Sequence, residues 1–99
     1  NALENIRESL AQLEIALEPQ RFGQQRAERA LERAAYETED GRAVLAGGGL
    51  HPHAVTMLDE AYRLTRQALE SDDSARQGPV REAMAELESA RNELVEEDV

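Results

Sequence analysis

The sequence predicts an all-α protein built as an antiparallel four-helix bundle, and three observations carry that prediction. Large apolar residues and alanines recur at alternating steps of three and four through four successive segments, the spacing that lines one face of a helix. Pro19, Pro52 and Pro79 stand at the edges of those segments, where a fixed φ and a missing N–H do least harm. No stretch shows the period-two alternation of a half-buried strand. Short or moderate connections then favour antiparallel neighbours. The alternative architecture is a set of helical hairpins that complete a bundle by dimerisation. The predicted elements fill a single helical domain, 1–99, with helices at about 2–18, 23–40 with an extension to 46, 52–71 and 79–97.

In the first segment Leu3, Ile6, Leu10, Leu13 and Leu17 draw a narrow stripe, as at a bundle seam. Pro19 disfavours helical geometry at Glu18 and ends it. Ile15 falls off the stripe, beside Glu4, Glu8 and Ala11, and is expected at the surface. The second segment follows "EPQRFG" and presents Ala27, Ala30, Leu31, Ala34 and Thr38 inward. Side chains that small allow close helix approach, toward the lower end of the roughly 8–10 Å interaxial range. Gly41 reads as its C-terminal residue.

The third segment starts at Pro52, a favourable first helical position. It carries two adjacent stripes: Val55, Leu58, Tyr62, Thr65 and Leu69, and beside them Met57, Ala61, Leu64 and Ala68. A face that wide should touch two neighbours, making this the most central helix. "SDDSARQG" reads as a polar loop. The fourth segment starts at Pro79 and turns Val80, Ala83, Leu87, Ala90 and Leu94 inward, with Met84 alongside.

One internal echo resembles a known repeat. "AERALERAAYETED" from Ala27 and "AYRLTRQALESDDS" from Ala61 are spaced by 34 residues, and each resembles the second helix of a tetratricopeptide repeat. The resemblance covers those two segments alone. The family's first helix would fall on "RAVLAGGGLHPH", which holds three glycines and a proline and lacks the family's aromatic and Leu-Gly positions.

Composition narrows function more than it names it. Of the 40% apolar residues many are alanine, sixteen in all, so the core is thin. At roughly 25 cal/mol per Å2 buried such a core leaves a monomer marginal, and self-association is the expected remedy. Twenty-one acids against eleven bases give a net charge of −10, which excludes direct binding to a nucleic-acid backbone or an anionic membrane surface. All eleven bases are arginine. The absence of cysteine removes disulfides, thiolate metal sites and thiol nucleophiles. With no signal peptide in view, the default expectation is a cytoplasmic protein, and the start at Asn1 leaves N-terminal trimming open.

Three constellations could carry chemistry. In "AGGGLHPHA" (46–54) His51 and His53 flank Pro52 and form the candidate metal pair. A metal site needs a third ligand, for which Asp59 or Glu60 are available, but nothing in the spacing requires one. The same glycines could present N–H groups to an anion, yet a P-loop would follow them with Lys and Ser or Thr, and Leu50 stands there. The stretch is therefore expected to be a hinge or turn. "ETED" places Glu37 near Asp40 without the facing acidic pair on a second helix that helical Mg2+-dependent pyrophosphohydrolases use. No catalytic group and no cofactor is expected, and the protein is read as a non-enzyme.

Two charged faces remain as candidate interaction surfaces. Arg26, Arg29 and Arg33 share one side of the second segment, and Glu82, Glu86, Glu93 and Glu97 one side of the fourth. Both are expected either to be solvated or to dock a partner, arginine's planar fork being suited to carboxylates. The sequence thus predicts a bundle that acts through protein–protein contact, with itself as a homodimer or with another protein. The alternatives are a small-ligand or metal-sensing domain and an acidic inhibitor that mimics nucleic acid.

Overall fold

The computed structural model describes residues 1–97, the side chain of Glu97 excepted. Helix α1 spans Ala2–Ala16, and Asn1 caps it by accepting a hydrogen bond from the Glu4 backbone N–H at 2.9 Å. Pro19 does more than stop α1, because it opens a single turn of its own, α2, Pro19–Phe22. Gly23, at φ 88°, redirects the chain into the long helix α3, Gln24–Gly48. Helix α4 is Pro52–Glu70, and after a 3-10 turn at Asp73–Ala75 helix α5 covers Gln77–Glu97.

Helices α1, α3, α4 and α5 pack antiparallel in the order α1–α3–α4–α5, and α5 returns to α1 to close the set. One chain therefore supplies all four helices without a second copy. At 1.5 Å per residue the 25 residues of α3 span about 37 Å, close to the 39 Å long axis of the molecule. The N-terminus of α1, the C-terminus of α3, the N-terminus of α4 and the C-terminus of α5 meet at one end. This is called the open end below.

The predicted inner faces are buried almost as drawn. Ile6, Leu10 and Leu13 of α1 join Ala30, Leu31 and Ala34 of α3, Leu58, Ala61 and Leu64 of α4, and Val80, Ala83, Leu87 and Ala90 of α5. The stripe on α1 is shifted, however. Ala2, Ser9 and Ala16 are buried, whereas Leu3 and Leu17 are half-buried. Ile15 is half-buried and packed on the core rather than exposed. Ser9 lies inside because its hydroxyl shares a 2.7 Å hydrogen bond with Thr38 and donates to the Ala34 carbonyl at 3.1 Å. Hydrogen bonds of this kind offset the cost of taking the hydroxyl out of water.

Gly41 is not a helix end. It sits in the middle of α3 and is buried, and a Cβ there would meet the Asn5 Cβ at 3.1 Å and the Ala2 carbonyl oxygen at 3.6 Å. The residue is glycine because α1 crosses there. The hinge expected of the three glycines is also shorter than the sequence suggests. Gly47 and Gly48 continue α3, and only Gly49, at φ 66°, ends it in the left-handed conformation. Nor is α4 uniquely central: it packs between α3 and α5, and α3 packs likewise between α1 and α4.

"SDDSARQG" is polar but carries a buried anchor. Arg76 lies almost wholly inside, its Nε donating to the Ala68 carbonyl at 3.0 Å and its Nη2 to Glu28 Oε1 at 3.0 Å. Its Nη1 stands 2.8 Å from Asp73 Oδ1, an ion-pair contact without hydrogen-bond geometry. One guanidinium thereby ties the end of α4, the start of α5 and the outer side of α3 together. Helix α5 accordingly begins at Gln77, two residues before Pro79.

Candidate functional site

The open end collects apolar groups that the core does not cover. Leu50 is 68% exposed, Val44 52% and Val95 44%. Leu3 and Val55 are half-buried around them. Leu50 faces water because the α3–α4 connection is only three residues long, Gly49 to His51. Two shallow clefts open here. One of about 220 Å3 is lined by Leu45, Leu50, Pro52 and Val55, the other of about 300 Å3 by Leu3, Val44 and Leu94. Leu45 and His51 border both. Sites for small molecules usually occupy about 300–1,000 Å3 with a few convergent polar groups. The first cleft is smaller than that, the second lies at the lower limit, and apolar side chains dominate the lining of both. Arg42 of α3 and Asp59 of α4 close a 2.8 Å ion pair near this end.

The two histidines do not form a ligand cluster. His51 precedes α4 in the left-handed conformation, φ 73°, and His53 is exposed on the first turn. Among the described residues no three His, Asp or Glu side chains come together as metal ligands would. Glu37 of "ETED" is engaged structurally: it accepts from Asn5 Nδ2 at 2.8 Å and pairs with Arg33 at 3.1 Å. Asp40 is exposed.

The arginine face of α3 is solvent-facing, as the spacing predicts, but two of its members are occupied. Arg26 and Arg21 each place a guanidinium 5.0 Å from the centre of the half-buried Phe22 ring. Arg33 holds Glu37. Arg29 alone of the three has no charged or aromatic partner among the described residues. Tyr36, 60% exposed, lies on the same side of α3 and carries it toward Val44.

The acidic face of α5 is interrupted as well. Glu82 and Glu86 line a cleft with Glu60, Arg63 and Leu64 of α4, so a base stands among the carboxylates. Arg63 pairs with Glu60, and that hydrogen bond holds the Glu60 carboxyl below its ordinary value. Glu93 is half-buried, and the Glu97 side chain lies outside the described residues. The apolar open end and the Arg76 anchor were not singled out in the sequence. Leu50 between Gly49 and His51 was the signal for the first, and the lone base in "SDDSARQG" for the second.

No family model, curated protein or solved structure matches the chain. Among the described residues no helix is long and apolar enough to cross a membrane.

Proposed function

We propose that this protein is a non-catalytic helical bundle that works by protein–protein contact and associates with itself. The observation that carries the reading is the gathering of Leu3, Val44, Leu50, Val55 and Val95 at one end of a chain otherwise coated with charge. Exposed apolar side chains gathered at one place are what a contact site presents. The arrangement can do little chemistry of its own. Its clefts are shallow, and Glu37, Glu60 and Asp73 are each paired with an arginine. Arg63 stands in the open cleft that Glu60 shares with Glu82 and Glu86, unlike a pocket that would separate carboxylate pKa values.

Self-association follows from the thin core. Alanine supplies more than half of the buried apolar positions in α3 and in α4, and alanine buries little area per residue. Sedimentation velocity over a dilution series from micromolar to millimolar tests the reading. The weight-average mass should rise toward twice that of one chain. A strict monomer at every concentration contradicts self-association.

A further inference from the structure

The α1–α5 seam is where the observations place the contact between copies. These helices pack less closely than the other neighbouring main helices. Half-buried Leu17 and Met84 line a cleft of about 260 Å3 there, with Arg81, Ala85 and Glu88 at its edge. Arg81 and Glu88 are exposed, and neither has an ion-pair partner among the described residues. Arg81 also borders a cleft with Glu14 and Glu18 without closing a salt bridge to either.

The pattern along this side of α5 is symmetric about the point between Met84 and Ala85. Arg81 and Glu88 stand equally far from it in opposite directions, and so do Gln77 and Asn92. We propose that two copies meet on a two-fold axis at that point, with their α5 helices antiparallel. Arg81 of each copy then faces Glu88 of the other, Met84 of each lies over the small Ala85, and Gln77 meets Asn92. A two-fold contact requires a self-complementary surface, and this side of α5 has one.

Charge selects the second copy as the occupant. Each chain carries a net −10, so copies repel unless the touching acids meet a cation. Arg81 supplies one to Glu88 of the other copy and stands beside Glu14 and Glu18 of its own chain. The other outward side of α5 presents Glu82, Glu86, Glu93 and Glu96, and the open end holds Glu4, Glu93 and Glu96. On the first side the neighbouring base Arg63 is already paired with Glu60, so pairing there would oppose carboxylate to carboxylate, as would pairing through the open end. This inference rests on the self-association proposed above and adds its surface. It also leaves the two open ends at opposite extremes of the dimer, so that one pair of chains presents two apolar contact sites.

Charge reversal tests it. Arg81→Glu sets a carboxylate against Glu88 in both symmetric pairs, and Glu88→Arg sets a second guanidinium against Arg81. Each variant should keep wild-type helicity, since both side chains are exposed, and should dimerise at least about tenfold more weakly. Mixing the two variants should restore dimer. In the mixed pair the introduced carboxylate faces the introduced guanidinium, and the retained Glu88 of one chain faces the retained Arg81 of the other. The double variant Arg81→Glu/Glu88→Arg should dimerise as the wild type does. A wild-type dimer untouched by either reversal, or two weakened variants that fail to rescue each other, overturns the surface while leaving self-association intact. A wild type that never dimerises overturns both.

Discussion

Ser9 and Arg76 show how single polar residues hold a mostly aliphatic seam. The Ser9 hydroxyl has two partners on α3, Thr38 and the Ala34 carbonyl. Ser9→Ala removes both bonds and leaves the buried Thr38 hydroxyl short of a partner, at a cost of about 1–2 kcal/mol. Ser9→Ala/Thr38→Val removes both polar groups and should cost less than the two single changes summed. Urea unfolding of the three variants measures this, and strict additivity would mean that the pair is not coupled. Arg76 differs because its charged partners are half exposed. Screening keeps those two ion pairs small, and the larger share comes from the Ala68 carbonyl and the buried side-chain stem. Arg76→Ala should therefore lower stability by about 2 kcal/mol. Arg76→Lys should recover less than half of it, because an ammonium lacks the fork that reaches several acceptors. A loss below about 0.5 kcal/mol, the range of ordinary surface changes, would show Arg76 to be a surface group.

At the level of the helix, two glycines of α3 separate packing from propensity. Gly47 has open space around the position of a Cβ, and Gly41 faces Asn5 at 3.1 Å. Gly47→Ala should stabilise by up to about 1 kcal/mol, the difference in helix propensity. Gly41→Ala should lose that gain to the displacement of α1, and Gly41→Val should be destabilising by about 1–3 kcal/mol through overpacking. Paired thermal melts decide it: equal stabilisation at both positions would mean that α1 does not press on Gly41. The same residue shows why helix ends were the least legible feature. A glycine after a polar run reads as a C-terminal signal, and only the neighbouring helix reveals that it is a crossing point. The inner faces of α3, α4 and α5 were legible because apolar period and burial coincide there. On α1 the largest side chains did not all win the core: Ser9 enters through its hydrogen bonds, and Leu3 and Leu17 lie at the bundle ends where fewer neighbours cover them.

At the level of the molecule, charge spacing alone located the arginine and glutamate faces but not their use. Arg26 and Arg33 are taken up by Phe22 and Glu37, and Arg63 from another helix stands among the α5 acids. The Arg33–Glu37 and Phe22–Arg26 pairs are four residues apart and do have a local signature, whereas a partner from another helix, such as Arg63 of α4 beside the α5 acids, has none. The apolar open end was equally hidden, since it is assembled from the termini of four helices far apart along the chain. What results is a bundle that packs Ala-rich faces tightly inside and leaves two outward surfaces, one apolar and one that carries Arg81 and Glu88 on the same side of α5. Leu50→Glu should change stability by less than about 0.5 kcal/mol, as exposed positions do. A larger loss on unfolding would make that end part of the core.

The claim that these outward surfaces exist to be covered by protein is tested most directly by amide NMR spectra recorded over a dilution series of the wild type. Concentration-dependent shifts should centre on Arg81, Ala85 and Glu88 of α5 and on Leu17 beside them, while Arg66 and Glu70 on the outer side of α4 stay fixed. Spectra that are identical from the lowest to the highest concentration would contradict the account.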